Sequence, residues 1–337
     1  MMESSYLHVP ALIAHGGAGG RGPAVDRPER RRAMLSAVRH GAELLRGGAS
    51  AIDAVVATVR ELENHPLFNA GYGSVLTADG TVEMDAAIVA ASARGAPRGR
   101  QVDLRAGAVA AVSRVRNPIE LARAVMERTP HLLMAGAGAE VIARQAGIEL
   151  CAPAALISPR SRERWRAMLE SRAELAAPAL GERGHFGTVG AVALDAHGML
   201  AAATSTGGIS GKLPGRVGDS AIIGAGAFAG WPGAASATGQ GEAILKVALC
   251  RAALMALEGA VTPARAATGA IRNLAATTGG QAGVIIVDRR GRIGFAHNAE
   301  AMDVAIFEAA RGFRYQWTAP SSTARAKAPA RSSTRGA

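Results

Sequence analysis

The sequence predicts an α+β fold in which helices cover the outer faces of two largely antiparallel sheets. Alternating apolar stretches separated by short turns predict strands in both halves of the chain. Apolar residues at helical spacing predict a block of helices between these strands in each half. With 337 residues and 49% hydrophobic content the chain can bury a large core, so an ordered protein with helices packed on sheets is expected.

The N-terminal half begins with a predicted strand and two predicted helices. Leu12–Ala14 is a short buried strand that leads into a glycine-rich loop, His15–Gly20. Helices follow over 28–45 and 51–62, and Ser50 is placed to cap the second of them. The loop therefore offers backbone without bulky side chains, which can lie close to another part of the molecule.

Two strands, a further strand and a third helix are predicted next. Residues 74–77 and 81–90 lie on either side of the Asp79-Gly80 turn and are expected to pair. Residues 106–112 are another strand candidate. Asn117-Pro118 combines a capping residue with a first-turn proline, which predicts the start of a helix.

The C-terminal half repeats this pattern of strands and helices. Its predicted elements are a hairpin of 188–194 with 199–205, a single helix over 242–257, a helix opening at Thr262-Pro263, and a strand pair of 283–287 with 292–297. Residues 158–187, rich in Arg, Glu, Ala and Pro with a helical stretch around Trp165, are expected to form a flexible linker. Residues 318–337 carry basic but no acidic residues and are expected to be a disordered tail.

Charge and cysteine content exclude several function classes. The formal net charge is +11, but the excess arginine is spread along the chain and forms no stripe interleaved with aromatic residues, so no specific nucleic-acid binding is expected. The two cysteines, Cys151 and Cys250, are far apart, which predicts a reduced protein without a disulfide framework. Residues 1–10 carry no basic segment, the apolar stretch 9–14 is too short for a secretory leader, and no apolar run reaches membrane-spanning length. We therefore expect a cytoplasmic protein without membrane attachment.

Thr188 is the strongest candidate for chemistry. An internal threonine hydroxyl is a poor nucleophile, whereas an N-terminal threonine carries its own base, since a free α-amine has a pKa of about 7.7 to 8.0. Breaking the Gly187-Thr188 bond would supply that amine. Gly187 suits such a cut because a residue without Cβ tolerates a strained backbone and lets the hydroxyl approach its carbonyl. Taken alone, Thr188 could equally be an ordinary strand residue.

Several motifs together give the chain a family resemblance. They are His15-Gly16-Gly17-Ala18-Gly19, Phe68-Asn69-Ala70-Gly71, Gly187-Thr188-Val189-Gly190-Ala191-Val192, Thr204-Ser205-Thr206-Gly207-Gly208, Lys212 to Ser220, and Thr238-Gly239-Gln240-Gly241-Glu242. With these motifs the chain resembles the plant-type L-asparaginases, also called isoaspartyl peptidases, of the N-terminal nucleophile hydrolase superfamily. The resemblance implies a four-layer αββα sandwich. It also implies self-cleavage into an α chain, 1–187, and a β chain, 188–337, within one catalytic domain.

The resemblance assigns roles to individual residues. Thr188 would be the self-cleaving residue and the nucleophile, Thr206 would support it with a hydroxyl, and Asn69 would lie beside it. Arg216 and Asp219 would grip the α-carboxylate and α-ammonium of the substrate, although the two could instead form a local surface salt bridge. The family's substrate-binding and oxyanion positions would be completed by Val217, Gly218, Thr238, Gly239, Gln240 and Gly241, of which Thr238 and Gly239 form the oxyanion hole. Thr238 could instead cap the following helix.

The resemblance also bears on cofactors, partners and substrates. It implies no redox or organic cofactor, a dimer of cleaved αβ units, and hydrolysis of L-asparagine and β-aspartyl dipeptides. A structural sodium ion would be held by the backbone carbonyls of Leu62, Glu63, His65, Phe68, Ala70 and Tyr72. Ala282, Ala299 and Ala301 depart from the family pattern and put local packing and substrate preference in question.

Three alternatives remain at this point. Within the superfamily, a glycosylasparaginase would cleave a sugar from the asparagine side chain. Two loose G-x-G-x-x-G matches, at 17–22 and 224–229, raise a dinucleotide-binding oxidoreductase, but neither runs into the helix and parallel strand that such a site needs. The third alternative is an uncleaved, inactive relative that serves as a binding protein.

Overall fold

The computed structural model describes residues 8–20, 23–92, 103–174, 187–259 and 261–319. The helices in this part of the chain are α1 Arg27–Arg46, α2 Ala51–Glu63, α3 Pro118–Arg128, α4 Gly136–Gln145, α5 Pro159–Glu174, α6 Gly241–Val247, α7 Leu249–Leu257 and α8 Pro263–Thr278. The strands are β1 Ala11–Gly19, β2 Met84–Ser92, β3 Leu104–Val112, β4 Leu133–Ala135, β5 Val189–Leu194, β6 Met199–Thr206, β7 Ala227–Gly230, β8 Gly233–Gly239, β9 Ala282–Asp288, β10 Ile293–His297, β11 Ala301–Glu308 and β12 Gly312–Thr318.

The strands form two sheets with helices on their outer faces. One sheet has the order β12-β11-β1-β5-β6-β2-β3-β4 and the other β10-β9-β8-β7, and the pairs are antiparallel apart from β3 with β4. Three clusters of buried apolar residues separate the layers. One lies between α1 to α4 and the large sheet, one between the two sheets, and one between the small sheet and α6 to α8. The predicted α+β fold with two sheets flanked by helices is confirmed.

The β5–β6 hairpin is central because it carries both threonines of the sequence motif. Val189 pairs with Ser205 in an antiparallel register, so Thr188, one residue before β5, lies next to Thr206 at the end of β6. Asp195 fixes the turn between the strands by accepting hydrogen bonds from the amides of His197 and Met199, both 2.9 Å long. The hairpin predicted from local alternation is confirmed.

The glycine-rich segment after Ala14 is not the expected loop. β1 runs from Ala11 to Gly19, pairing with both β5 and β11, and the pairing with β11 shifts register between His15 and Ala18. Gly17 lies at this irregularity with φ of +124°, a conformation that favours glycine. The glycines therefore let a strand bend beside the candidate site.

The expected strand over 74–77 is also wrong. This segment is irregular, and β2 begins only at Met84. The amide of Ala78 donates to the carbonyl of Lys212, and the amide of Gly211 donates to the carbonyl of Leu76. The Thr77 amide still donates to the Thr81 carbonyl across the turn at 2.9 Å, but the bonds to a distant loop hold the rest of the segment outside the sheet.

The predicted helix over 242–257 is divided into α6 and α7. Ala248 separates them in a left-handed conformation with φ of +46°. After this break, the amides of Cys250 and Arg251 donate to the carbonyls of Ala225 and Gly224. Tertiary hydrogen bonds thus offset the strain of a non-glycine residue in the left-handed region.

The start of the expected linker is an ordered helix, which corrects the boundary at residue 158. α5 is held against the body of the protein by buried Ser158 and Ser161 and by the indole of Trp165, which donates to the carbonyl of Thr77 at 3.0 Å. Residues 175–186 and 320–337 lie outside the described residues. Thr318, expected to begin the tail, is the last residue of β12.

Two further observations concern helix ends and membranes. Asn117 makes no side-chain cap at the start of α3, and Glu63 Oε1 instead accepts a hydrogen bond of 3.0 Å from the amide of Ile119. Among the described residues, none of the helices is long and apolar enough to span a bilayer.

Candidate active site

The two threonines predicted to act together are in contact. The Thr188 hydroxyl donates to the Thr206 hydroxyl at 3.1 Å, and the Thr206 oxygen also accepts from the amide of Gly208 at 3.0 Å. Both threonines are buried, with exposures of 6% and 3%. A hydroxyl held in this way has a fixed direction and little competition from water.

His15 fixes Thr188 from the other side. Its Nδ1 lies 3.0 Å from the Thr188 carbonyl oxygen and its Nε2 lies 2.9 Å from Ser236 Oγ. Burial lowers the pKa of His15 to about 3, so the ring is neutral. Because a carbonyl oxygen only accepts, Nδ1 carries the proton and the Ser236 hydroxyl donates to Nε2. The sequence drew attention to His15 as part of a glycine motif but did not predict this contact.

Asn69 lies against the residue that precedes the nucleophile. A Cβ placed on Gly187 would be 3.0 Å from the Cβ of Asn69, which shows how closely the two residues pack. The Asn69 side chain accepts from the amide of Val75 at 2.9 Å and donates to the carbonyl of Gly208 at 2.7 Å. It therefore ties the 69–75 turn to the segment that follows Thr206.

A small pocket, here called the head-group pocket, opens beside the nucleophile. It is lined by Thr188, Thr206, Gly208, Ile209, Arg216, Asp219, Gly239 and Gly241. A Cβ on Gly241 would lie 2.7 Å from Arg216 Nη2 and 2.9 Å from Asp219 Oδ1, so one small ligand can reach both charged groups. The structure thus brings together the predicted threonines, the predicted ion-binding pair and two predicted glycines. Gly208 and Ile209 were not predicted.

Arg216 and Asp219 do not form the local salt bridge that was the alternative explanation. Arg216 instead pairs with Glu242, its Nη2 lying 2.8 Å from Oε1. Asp219 is buried, and its Oδ2 has no hydrogen-bond partner among the described residues. Burial raises the pKa of Asp219 to about 7, opposed by its own backbone amide and by Arg216. An incoming ammonium would supply the partner that Oδ2 lacks.

The loop that carries Arg216 and Asp219 is held in place by the buried side chain of Asp85. Asp85 accepts from the amide of Gly218 at 3.1 Å and from the amide of Ala111 at 2.9 Å. Burial raises the pKa of Asp85, while nearby Lys212 opposes the shift. Val217 and Gly218 belong to this loop, but neither lines the head-group pocket. Asp85 supports the loop, and no local sequence motif indicated it.

The end of β8 places the predicted oxyanion residues next to the pocket. Thr238 Oγ1 accepts from the amide of Ala18 at 3.2 Å, and Gly239 has φ of +137°. Thr238 does not cap α6, since the residue at that position is Gln240, whose side chain makes no cap and accepts from the amide of Gln281. Only Gly239 of these three lines the head-group pocket.

Two of the three alanines that depart from the family pattern lie near these strands. Ala282 pairs with Gly239, and a Cβ on that glycine would be 2.6 Å from the Ala282 Cα. Ala301 pairs with Gly19 at the end of β1. The third, Ala299, accepts from the His297 ring at 3.1 Å. None of the three side chains lines the head-group pocket.

The loop after α2 was predicted to hold sodium through backbone carbonyls. A Cβ on Gly73 would lie 2.0 Å from the carbonyl oxygen of Phe68 and 3.1 Å from that of His65, so these two carbonyls converge on a space that only glycine leaves free. A Cβ on Gly71 would lie 2.4 Å from the carbonyl oxygen of Glu63. Oxygen atoms gathered in this way fit a hard cation.

The dinucleotide-binding alternative disagrees with the topology. Gly17 and Gly19 lie within β1, whose neighbours β5 and β11 are both antiparallel to it. The second match, from Gly224, runs into β7 rather than a helix. A dinucleotide site of that type needs a parallel strand and a helix directly after the glycines.

Comparison with known proteins agrees with the geometry. Residues 8–315 match the profile of the family described as "Asparaginase". The chain is 42% identical over 284 residues to a Danio rerio protein and 43% identical over 285 residues to a Homo sapiens protein, both named "Isoaspartyl peptidase/L-asparaginase", covering 84% of this chain and 87% and 88% of those proteins. It is 42% identical over 307 residues to an Escherichia coli protein named "Isoaspartyl peptidase", covering 87% of this chain and 91% of that protein. Matches of this extent show that the chain belongs to the asparaginase family.

Proposed function

We propose that this protein is a self-activating threonine hydrolase that cleaves β-aspartyl amides. Its substrates are L-asparagine, which yields L-aspartate and ammonia, and isoaspartyl dipeptides, which yield aspartate and an amino acid. The names of its relatives support this activity. The observation that carries the proposal is the contact between the Thr188 and Thr206 hydroxyls at 3.1 Å, at the edge of a pocket that also holds Arg216 and Asp219.

Activation would begin with an attack by the Thr188 hydroxyl on the carbonyl carbon of Gly187. The carbon–nitrogen bond breaks, the Thr188 nitrogen takes a proton, and Gly187 becomes esterified to Thr188 Oγ1. Water then hydrolyses the ester, which leaves a carboxylate on Gly187 and an amine and a hydroxyl on Thr188. His15 assists by holding the Thr188 carbonyl, and close packing against Asn69 limits how Gly187 can move.

Hydrolysis would then proceed in two steps. The free amine of Thr188 accepts the proton of its own hydroxyl, and the oxygen attacks the side-chain carbonyl of the substrate. Thr238 and Gly239 donate hydrogen bonds to the resulting oxyanion, and the amine passes the proton to the leaving nitrogen. Water, activated by the same amine, hydrolyses the β-aspartyl ester. No organic or redox cofactor takes part.

Substrate recognition would rest on two opposite charges. Arg216 binds the α-carboxylate, moving from its pairing with Glu242, whose side chain is 56% exposed and can return to solvent. Asp219 binds the α-ammonium through the oxygen that otherwise has no partner among the described residues. This pair selects an amino-acid head group with both charges.

Thr188→Ala tests the nucleophile. The variant should remain a single chain of full length on intact-mass analysis and should not hydrolyse asparagine. Thr188→Ser is the matched control, since it keeps the hydroxyl and should still be cut. An active, uncut Thr188→Ala protein would refute the proposal, and a wild-type chain that is never cut would favour the binding-protein alternative.

The substrate class is tested by comparing three compounds. Wild-type enzyme should hydrolyse free asparagine and a β-aspartyl dipeptide in preference to N4-glycosyl-asparagine. Preference for the glycosylated compound would instead assign the glycosylasparaginase activity. The names of the relatives, which are isoaspartyl peptidases and asparaginases, support the first outcome.

We also propose that the loop after α2 binds a structural sodium ion. The carbonyls of Leu62, Glu63, His65, Phe68, Ala70 and Tyr72 would hold it. The ion would stiffen the turn that carries Asn69 and so stabilise the neighbourhood of the nucleophile. Melting in sodium chloride should occur at a higher temperature than in choline chloride of equal ionic strength, and equal Tm values would argue against the site.

Assembly and location complete the proposal. We expect a dimer of cleaved αβ units, and native mass spectrometry should give twice the combined mass of the two chains. We expect the protein to reside in the cytoplasm, where Cys151 and Cys250, both free in the structure, would stay reduced.

A further inference from the structure

A second, larger cavity lies on the other side of the Gly187-Thr188 bond. It is here called the arginine pocket, after Arg30, Arg160 and Arg164 in its wall. Gly187 and Asn69 also line it, whereas Thr188 lines the head-group pocket. The Gly187-Thr188 bond therefore joins a residue that lines the arginine pocket to a residue that lines the head-group pocket.

Two of the three arginines have their charge neutralised. Arg30 forms two hydrogen bonds of 3.1 Å and one of 3.2 Å with the carboxylate of Asp303, and it also donates to the carbonyl of Leu67 at 2.8 Å. Arg160 pairs with the carboxylate of Asp26. Both acids belong to the wall of the same pocket.

Arg164 differs from these two. Its guanidinium is partly buried and makes no hydrogen bond or ion pair with another described residue. Burial lowers the pKa of Arg164, and the positive charges of Arg160 and Arg30 lower it further, against the opposing effect of Asp26. Since Asp303 and Asp26 are paired with Arg30 and Arg160, Arg164 is the arginine of this wall without a paired acid among the described residues. A partly desolvated guanidinium without a counter-ion gains from binding an anion, and its planar shape matches a carboxylate in particular.

The chemistry of the proposed reaction brings a carboxylate to this region. If the head-group pocket holds the aspartyl part of a β-aspartyl dipeptide, the scissile carbonyl would lie at Thr188 and the leaving nitrogen would be on the side away from Arg216 and Asp219. In the leaving amino acid, only the Cα separates this nitrogen from a free carboxylate. Free asparagine releases ammonia and brings no such group.

We propose that the arginine pocket receives the leaving amino acid of a β-aspartyl dipeptide and that Arg164 binds its carboxylate. This inference rests on the proposed function and extends it, because it names a part of the enzyme that distinguishes dipeptides from asparagine. Arg164 is a specificity residue in this scheme, and it takes no part in bond breaking.

The test compares three substrates: β-aspartyl-alanine, its C-terminal amide and L-asparagine. Wild-type kcat/KM should be about tenfold higher for the dipeptide acid than for its amide, the size expected for one charge-assisted contact. Arg164→Gln should lower kcat/KM for the acid by about tenfold, chiefly through KM. It should change the amide and asparagine less than twofold, so that the preference for the acid disappears. Arg162→Gln, an exposed arginine on the same helix, is the matched control and should behave as wild type.

Other outcomes would refute the proposal that Arg164 binds the carboxylate of the leaving amino acid. Equal wild-type kcat/KM for the acid and the amide would refute it without any variant. An equal loss on all three substrates, or slower self-cleavage on intact-mass analysis, would assign Arg164 to the carboxylate left on Gly187 or to structural support. A wild-type enzyme that hydrolyses asparagine but shows no acid preference leaves the proposed function intact, whereas failure on all three substrates removes the proposed function as well.

Discussion

Replacing Gly190 with alanine should both destabilise the protein and slow its self-cleavage. A Cβ at this position would lie 2.2 Å from Ser236 Oγ, 2.5 Å from His15 Nε2 and 2.9 Å from the carbonyl oxygen of Ala203. None of these atoms can move away cheaply, because all belong to buried residues packed between the two sheets. The new methyl would therefore push apart the hydrogen bond between His15 and Ser236.

The expected loss in the free energy of unfolding is the sum of two costs. Overpacking a buried position costs about 1 to 3 kcal/mol. A buried ring nitrogen that loses its partner costs about 1 to 3 kcal/mol more. We expect the free energy of unfolding to fall by about 2 to 6 kcal/mol, a large share of the usual 5 to 15 kcal/mol of a folded domain. Because His15 also holds the Thr188 carbonyl, self-cleavage should slow by at least about tenfold, equivalent to about 1.4 kcal/mol in the barrier.

Two measurements separate these effects. Urea unfolding is best performed in a Thr188→Ala background, where every molecule is one uncut chain. Self-cleavage is followed by intact mass over time in the variant that keeps Thr188. Gly269→Ala is the matched control, because a Cβ there meets nothing within 4 Å and the residue lies inside α8, where alanine should stabilise by up to about 1 kcal/mol.

A third variant tests the cause. Adding Ser236→Ala to Gly190→Ala removes the nearest clashing atom, so part of the lost stability should return. Self-cleavage should stay slow, since His15 would still lack its partner. Wild-type stability together with wild-type self-cleavage in Gly190→Ala would refute this account of how His15 positions the nucleophile.

Two further predictions concern pH. The pKa of Asp219 is raised to about 7 by burial, and only its carboxylate binds an ammonium, so kcat/KM for asparagine should rise as pH passes upward through about 7. Asp219→Asn should remove this part of the rise in steady-state assays and leave only the rise from the Thr188 amine, at about 7.7 to 8.0. A profile identical to that of the wild type would remove Asp219 from recognition. Burial also raises the pKa of Glu63 to about 8, against the opposing effects of Ser205, the Ile119 amide and Asn117. The folded state then keeps a proton that the unfolded state releases near its ordinary pKa of 4.5, so the free energy of unfolding should fall by up to about 1.4 kcal/mol per pH unit between about 4.5 and 8. Glu63→Gln should flatten this slope in urea unfolding, and an equally steep slope in the variant would contradict the assignment.

The sequence predicts those parts of the fold that depend on local signals. The hairpin from 189 to 206 follows from apolar alternation around a turn, and its register then places Thr188 beside Thr206. The caps at Ser50 and Thr262 are equally local, and both accept the expected backbone amide. In each case the deciding contacts join residues within one element or one turn.

Some features that were not predicted depend on distant partners, whereas the β11–β12 hairpin is local and was missed. The break at Ala248 has no glycine or proline to mark it, because hydrogen bonds to residues 224 and 225 produce it. β11 and β12 pair with each other and continue the sheet beyond β1, but neither was assigned from the sequence. The two sheets therefore hold more strands than the alternating segments alone indicate.

The same distinction applies to the candidate site. Motifs indicated Thr188, Arg216 and Asp219, because the residue types themselves suggest the chemistry. Supporting contacts such as Glu242 on Arg216, Asp85 on the Gly218 amide and Ser236 on His15 join residues 26, 133 and 221 positions apart. No local pattern contains such pairs, so the charge state and direction of the groups in the site become clear only from the fold.

The two pockets share one electrostatic property that links binding to substrate choice. Asp219 is a buried acid with an unpartnered oxygen, and Arg164 is a partly buried base without a partner, in each case among the described residues. Such groups cost folding free energy until an opposite charge arrives. Asparagine supplies an ammonium to Asp219 alone, whereas a β-aspartyl dipeptide also supplies a carboxylate to Arg164. On this argument the dipeptide recovers more of the cost of burying these charges. It should therefore protect the uncut, inactive Thr188→Ala variant against thermal unfolding at lower concentrations than asparagine does. Equal protection by the two ligands would mean that Arg164 contributes nothing to the bound state.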